Sequence, residues 1–387
     1  MASPYSNRPS RAFWKSAVDG GREDIRNLHA RRFEIGPKTR VATAGSCFAQ
    51  HIGAGLRRRN LTVLDLEPST RSASDKVAKA YGYRLYSARY GNIYTARQLL
   101  QLVQEALGLR QPGEVVWQKG DRFVDALRPS VEPEGLDSPE EVLLHRAYHL
   151  KQVRAMLEAA DVFVFTFGLT EAWVHKATGT VFPTAPETIA GTFDPEVYAF
   201  KNFTYEEVLA DFTEVRELLR AINPDMRFLL TVSPVPLAAT ATDEHVAVAT
   251  TYSKSLLRMV AATLRERFQD VDYFPSYEII TSPLFGEDFF EEDRRSVAEH
   301  GVALVMSAFF KEAAPARPTA ARGAAAAAAD DLHEGEVQGQ SDEAREMRRV
   351  RRRARRQGGQ GDQGAPGGQE KSAETVCEDA LLEAFAK

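Results

Sequence analysis

A hydroxyl and a thiol stand side by side at Ser46-Cys47, directly after Gly45 and directly before Phe48-Ala49-Gln50-His51-Ile52. Either side chain becomes a nucleophile when a base takes its proton, and the thiol is the readier one, because a few per cent of it is ionised at neutral pH without help. Arg40-Val41-Ala42-Thr43-Ala44 reads as a buried strand, and Phe48, Ile52 and Leu56 fall on one face of a helix, so the pair is expected at a helix N-terminus. Backbone N–H groups without helical partners there stabilise a thiolate or a developing oxyanion. The same turn also serves a plain strand-to-helix connection with a packed cysteine, so its chemistry depends on what joins it.

Candidate partners recur after later apolar runs. Gly168-Leu169-Thr170-Glu171-Ala172-Trp173 follows Asp161–Phe167, Ser233-Pro234-Val235-Pro236 follows Met226–Val232, and Pro275-Ser276-Tyr277-Glu278 follows Val271–Phe274, with Asp293 and His300 beyond. In an open parallel sheet, reactive groups gather outside the carboxyl ends of the strands. Glu171 is the acid of choice: beside Trp173 its carboxyl is expected to be partly desolvated, with a raised pKa suited to general acid–base work or to orienting a histidine. Its alternative role is to cap the following turn. Among the bases, His245 opens the helix that carries Tyr252 and Lys254, and His51 lies one helical turn beyond Cys47, where it reads as a core-edge residue. His175 follows Trp173, and His300 reads as a surface residue. No Gly-x-Gly-x-x-Gly or Walker-type loop and no zinc spacing occurs, so no built-in cofactor and no metal is expected.

The elements that must position these groups alternate in type. Arg40–Ala44, Thr62–Leu66, Asp161–Phe167, Met226–Val232 and Val271–Phe274 read as buried parallel strands. Helical spacing links Val208, Leu209, Phe212, Val215, Leu219 and Ile222, and again Tyr252, Leu256, Met259, Val260 and Leu264. Strands alternating with helices imply an α/β fold, a parallel sheet covered on both faces. Residues 1–36 form an N-terminal extension expected to pack on the main domain, 37–312, whose insert of about 67–154 is expected to cap the sheet or shape a substrate pocket. From 313 the composition turns to alanine, eight arginines between Arg345 and Arg356, and glycine and glutamine. Such sequence buries too little apolar surface to order itself, so 313–387 reads as a disordered tail. Its last turn, Ala380–Phe385, is amphipathic enough to dock on a partner or on the domain.

Composition narrows the class. Of 387 residues 43% are hydrophobic and 27% charged, ordinary values for a soluble globular protein, and the net charge of −5 is too small to imply a polyanionic partner for the body. Nucleic acid could be touched only weakly, through the arginines of the tail. Cys47 and Cys377 are the only cysteines, which excludes a disulfide framework. With no secretory signal and no membrane-spanning stretch, a cytoplasmic location is expected.

Several blocks in order resemble the GSCFA domain family: Gly45-Ser46-Cys47-Phe48-Ala49 itself, Arg89-Tyr90-Gly91-Asn92-Ile93-Tyr94-Thr95, Gly168–Trp173, Val232-Ser233-Pro234-Val235-Pro236-Leu237, Tyr252-Ser253-Lys254-Ser255 and Tyr273-Phe274-Pro275-Ser276-Tyr277-Glu278. That family is similar to the SGNH/GDSL hydrolases, which implies a flavodoxin-like three-layer α/β/α sandwich with about five parallel strands. It also implies ester hydrolysis or acyl transfer on a small molecule or glycan, with acetyl-coenzyme A as one acyl donor. Matching Gly45 to the first hydrolase block makes Cys47 the nucleophile; a shift of one residue makes it Ser46. The second block would give Gly91 and Asn92 as oxyanion donors, and the third gives Gly168 with Thr170 where an asparagine is usual. The Asp-x-x-His block reads Asp293-Arg294-Arg295-Ser296, with serine in place of the base, and His300, one helical turn on, is the substitute. The other reading is a sandwich that has lost catalysis and binds a ligand or partner.

Overall fold

The computed structural model describes residues 3–285 and 288–312. In chain order its elements are α1 (Trp14–Gly20), β1 (Val41–Gly45), α2 (Ala49–Arg58), α3 (Asp75–Ala80), α4 (Ala96–Ala106), β2 (Val116–Lys119), β3 (Arg122–Asp125), α5 (Pro139–Ala159), β4 (Val162–Phe167), β5 (Glu171–His175), β6 (Val181–Phe182), β7 (Tyr198–Asn202), α6 (Tyr205–Ile222), β8 (Arg227–Val232), α7 (Val246–Arg267), β9 (Val271–Tyr273), α8 (Ser276–Thr281) and α9 (Glu299–Phe310).

Strands β1, β4, β8 and β9 form a parallel sheet in the order β1-β4-β8-β9, with Gly45 opposite Thr166 and Phe167 opposite Val232. Successive residues face opposite sides. Phe163, Phe165, Phe228 and Leu230 pack with Leu99 and Val103 of α4, Val153 of α5, Phe212 of α6 and Leu257 of α7. Val162, Val164 and Leu229 pack with Ile52 of α2, Ile279 of α8 and Leu304 of α9. The result is a three-layer α/β/α sandwich. The predicted second strand, Thr62–Leu66, contributes one parallel bridge, Val41 to Val63. It is held by Val41 N–H on the Thr62 carbonyl and Leu64 N–H on the Val41 carbonyl, both at 2.8 Å. Farther along β1 the Ser87 hydroxyl, not a strand, accepts the Thr43 amide at 3.0 Å. With residues 62–64 counted, the strands run 2-1-3-4-5, the flavodoxin order, whose switch point falls between β1 and β4.

Two helices turn polar residues inward. Tyr252 and Met259, expected inside, are about half exposed; α7 instead turns Ser253, Lys254, Leu257, Val260 and Leu264 inward. The insert resolves into α3, α4, the hairpin β2–β3 and the 21-residue α5, whose buried residues are Val142, Arg146, His149, Val153, Met156 and Leu157. A second, three-stranded antiparallel sheet, β6-β5-β7, leaves the end of β4, so Glu171–Trp173 is a strand rather than a capping turn. Before β1, His29 Nε2 lies 3.0 Å from the Asp272 carboxylate of β9 and the Arg32 amide donates to the same oxygen at 2.9 Å. The arginine run, Cys377 and Ala380–Phe385 lie outside the described residues. No helix among those described is long and apolar enough to cross a membrane.

Candidate active site

Gly45 makes the turn possible. Its φ is +132° and an added Cβ would lie 2.4 Å from the Thr166 carbonyl oxygen, so only glycine lets β1 end this close to β4. Gly168 does the same from the other side: a Cβ there would meet Ser46 Cβ at 2.8 Å and the Tyr94 carbonyl at 3.1 Å. The segment 90–95 closes over both, with Ile93 N–H on the Gly45 carbonyl at 2.9 Å and Gly168 N–H on the Tyr94 carbonyl at 3.1 Å. Ser46, Cys47, Gly91, Asn92, Gly168 and Thr170 are thereby gathered at the switch point.

Their groups are engaged differently from the expectation. The Ser46, Ala49, Gln50 and His51 amides bond the carbonyls of Thr166, Ser46, Cys47 and Phe48, so the turn closes on itself and those donors are not left for an oxyanion. The Gly168 amide is likewise committed to Tyr94. Asn92 Oδ1 accepts from the Tyr86 hydroxyl and, at 3.3 Å, from Gln50 Nε2, and Tyr86 also donates to the Ser46 carbonyl at 3.1 Å. A cavity of about 10 Å³ lies between Tyr86, Gly91, Asn92 and Val131. Ser46 and Cys47 are only 2% and 3% exposed. The hydroxyls of Thr43, Ser46, Thr166 and Thr170 are all buried without a hydrogen-bond partner.

The predicted acids and bases stand elsewhere. Burial raises the Glu171 carboxyl above its ordinary range, and the carboxylate accepts from Thr240 Oγ1 at 2.7 Å and from the Ala241 amide. His245 is exposed and accepts the Ala247 amide at the start of α7. Asp293 accepts from the Ser296 hydroxyl at 2.6 Å and from two backbone amides of its own turn. His300 Nε2 is 2.9 Å from the Asp288 carbonyl. None of them bonds Ser46 Oγ. His51 packs edge-on against Phe48, its imidazole lowered to about 4 by burial and by Arg58.

The sequence model of the GSCFA family matches residues 40–309, more than half of the chain. The chain belongs to the GSCFA family. Among curated proteins none is similar enough to count as a relative. In this GSCFA domain, three groups that sequence reasoning left out of the site are as notable as those it named. Lys254 is 1% exposed, and its Nζ donates to the Gly168 carbonyl at 2.7 Å, on the residue whose Cα Ser46 packs against. In the sequence it stands within the block Tyr252-Ser253-Lys254-Ser255, two residues before Leu256 on the same helix.

Glu67 and His149 form a buried pair inside the insert, Nδ1 to Oε2 at 2.7 Å. Burial opposes the charge on Glu67, but the bond to His149, Arg128 nearby and the Arg89 amide hold its carboxyl below the ordinary range. Burial and Arg128 lower the His149 imidazole. Glu67 is therefore ionised and His149 neutral near pH 7, with the ring proton on Nδ1 toward the carboxylate. The pair could have been sought only through α5, whose start Ser138-Pro139-Glu140-Glu141 is a helix signature. Among the described residues no three His, Cys, Asp or Glu side chains are grouped to hold a metal ion.

Proposed function

We propose that this GSCFA protein hydrolyses or transfers an acyl group at the turn after β1, by the chemistry of the SGNH-like hydrolases. The observation that supports the reading is the concentration of unpaired buried hydroxyls, Ser46 and Thr170 among them, at the switch point of the sheet. A buried polar group without a partner costs about 1–3 kcal/mol, a cost that functional sites carry and purely structural turns avoid. Ser46 Oγ would bond the acyl carbon while its proton leaves with the departing alcohol or thiol; water or an acceptor hydroxyl then takes the acyl group in the reverse sense. Thr170 Oγ1 and the Asn92 amide are the oxyanion donors of this scheme, Lys254 adds a cationic side chain beside Gly168, and Cys47 is the alternative nucleophile. Access requires segment 86–94 to lift from the turn.

The test is turnover of p-nitrophenyl acetate, and of acetyl-coenzyme A with a sugar acceptor, by wild type and by a Ser46→Ala/Cys47→Ala variant. A loss of about a thousandfold or more is expected; equal turnover removes the proposal. Ser296, bonded to Asp293 where a base would stand, favours a second reading, a catalytically inactive sandwich that binds a ligand. Ligand-induced thermal stabilisation without turnover would select it.

A further inference from the structure

The insert encloses a cavity of about 20 Å³, room for one water-sized group. Its wall includes Tyr90, Gln98, Glu105, Arg128, Arg146 and His149, and of all its lining residues only Leu102 and Leu127 are partly exposed. Most of its polar groups are already matched. Gln98 bonds the Asn92 carbonyl and the Tyr94 amide. Arg146 bonds Glu105 at 2.5 Å and Asp125 at 3.1 Å, and Arg128 bonds Asp125 at 2.8 Å. His149 differs: the residue is 0% exposed, Glu67 takes Nδ1, and Nε2 is buried with no partner. With the proton on Nδ1, Nε2 carries a bare lone pair that can only accept. The charged groups of the wall, by contrast, are paired with carboxylates or guanidiniums around it.

We propose that this cavity receives a small hydrogen-bond-donating head group, the hydroxyl of an alcohol or sugar or the ammonium of an amine, with His149 Nε2 as its acceptor. An acceptor-only anion is excluded by the lone pair. A neutral or cationic donor satisfies the one unmatched buried atom in the cavity wall. Leu102 and Leu127, the partly exposed residues of the lining, mark the side from which such a group would enter. The site is independent of the Ser46 turn, and either can fail without the other.

The experiment follows the His149 ring nitrogens by ¹⁵N NMR in the full-length chain during titration with methanol, ammonium chloride or sodium acetate, against sodium chloride at matched ionic strength. A saturable shift of Nε2 is expected with methanol or with ammonium, and which of them produces it distinguishes hydroxyl from amine ligands. Acetate should give none. Leu127→Trp, which fills the approach without touching the charged groups, should abolish the shift and leave the circular dichroism spectrum unchanged; Leu102→Trp replaces it should the first variant not fold. The proposal is overturned if neither donor shifts Nε2, if acetate does, if the shift persists in the variant, or if the spectrum shows the proton on Nε2.

Discussion

The turn after β1 and the interior of the insert hold complementary kinds of side chain. The first has nucleophiles and no imidazole bonded to Ser46 Oγ; the second has an imidazole oriented by a carboxylate and no serine or cysteine in its cavity wall. Their polar groups are also satisfied in opposite ways. At the turn, hydroxyls are left unpaired beside neutral amides, whereas in the insert ionised groups are matched in a network. The difference predicts that the insert carries stability and the turn carries little of it.

Arg146→Met is the strongest challenge to that contrast. It leaves Glu105 and Asp125 buried without the guanidinium they share, and breaking a buried ion network from one side costs about 3–5 kcal/mol. A urea unfolding free energy lowered by about 4 kcal/mol is expected; a change under about 1 kcal/mol would mean that the network is dispensable. Acid should act next most strongly. The His149 and His51 imidazoles, one in each region, are lowered by burial and nearby arginines, His51 to about 4. Between pH 6.5 and 4 the unfolded chain therefore binds protons that the folded chain refuses, and stability falls as pH falls through that window. A loss of about 2.5 kcal/mol between pH 7 and pH 5.5 is expected from urea midpoints, and His51→Gln should flatten the profile without removing it. The smallest effect is at the turn itself. Ser46→Ala deletes an unpaired hydroxyl and should leave thermal stability within about 1 kcal/mol of wild type, in the stabilising direction; a clear destabilisation would show that Ser46 is a structural residue.

The two regions also differed in how plainly the sequence announced them. Arg40–Ala44, Asp161–Phe167 and Met226–Val232 are legible because strands covered on both faces must be apolar throughout. The glycines that let Ser46 approach Gly168 stand out for the same kind of local reason. Helix α5 does not, because two members of its inward stripe, Arg146 and His149, are polar while Leu143 and Leu144 point to solvent; the hydrophobic period is scrambled by the very residues that build the buried network. The burial of Lys254 is hidden likewise, since a lysine on a helix ordinarily reads as solvated. The strand-end position of Glu171 was legible, but its partner Thr240 comes from a loop 69 residues on, a separation that local spacing cannot bridge.

The border of the main sheet beside β1 is closed without a strand ladder. Where another protein would offer a free ladder of amides, here Val41 is answered by a single bridge and Thr43 by the Ser87 hydroxyl. A neighbouring chain arriving in extended form finds those donors occupied, and at the opposite border β9 offers only three residues. Growth of the sheet from molecule to molecule is thus blocked at both margins, which keeps a core rich in phenylalanine and valine from seeding aggregates.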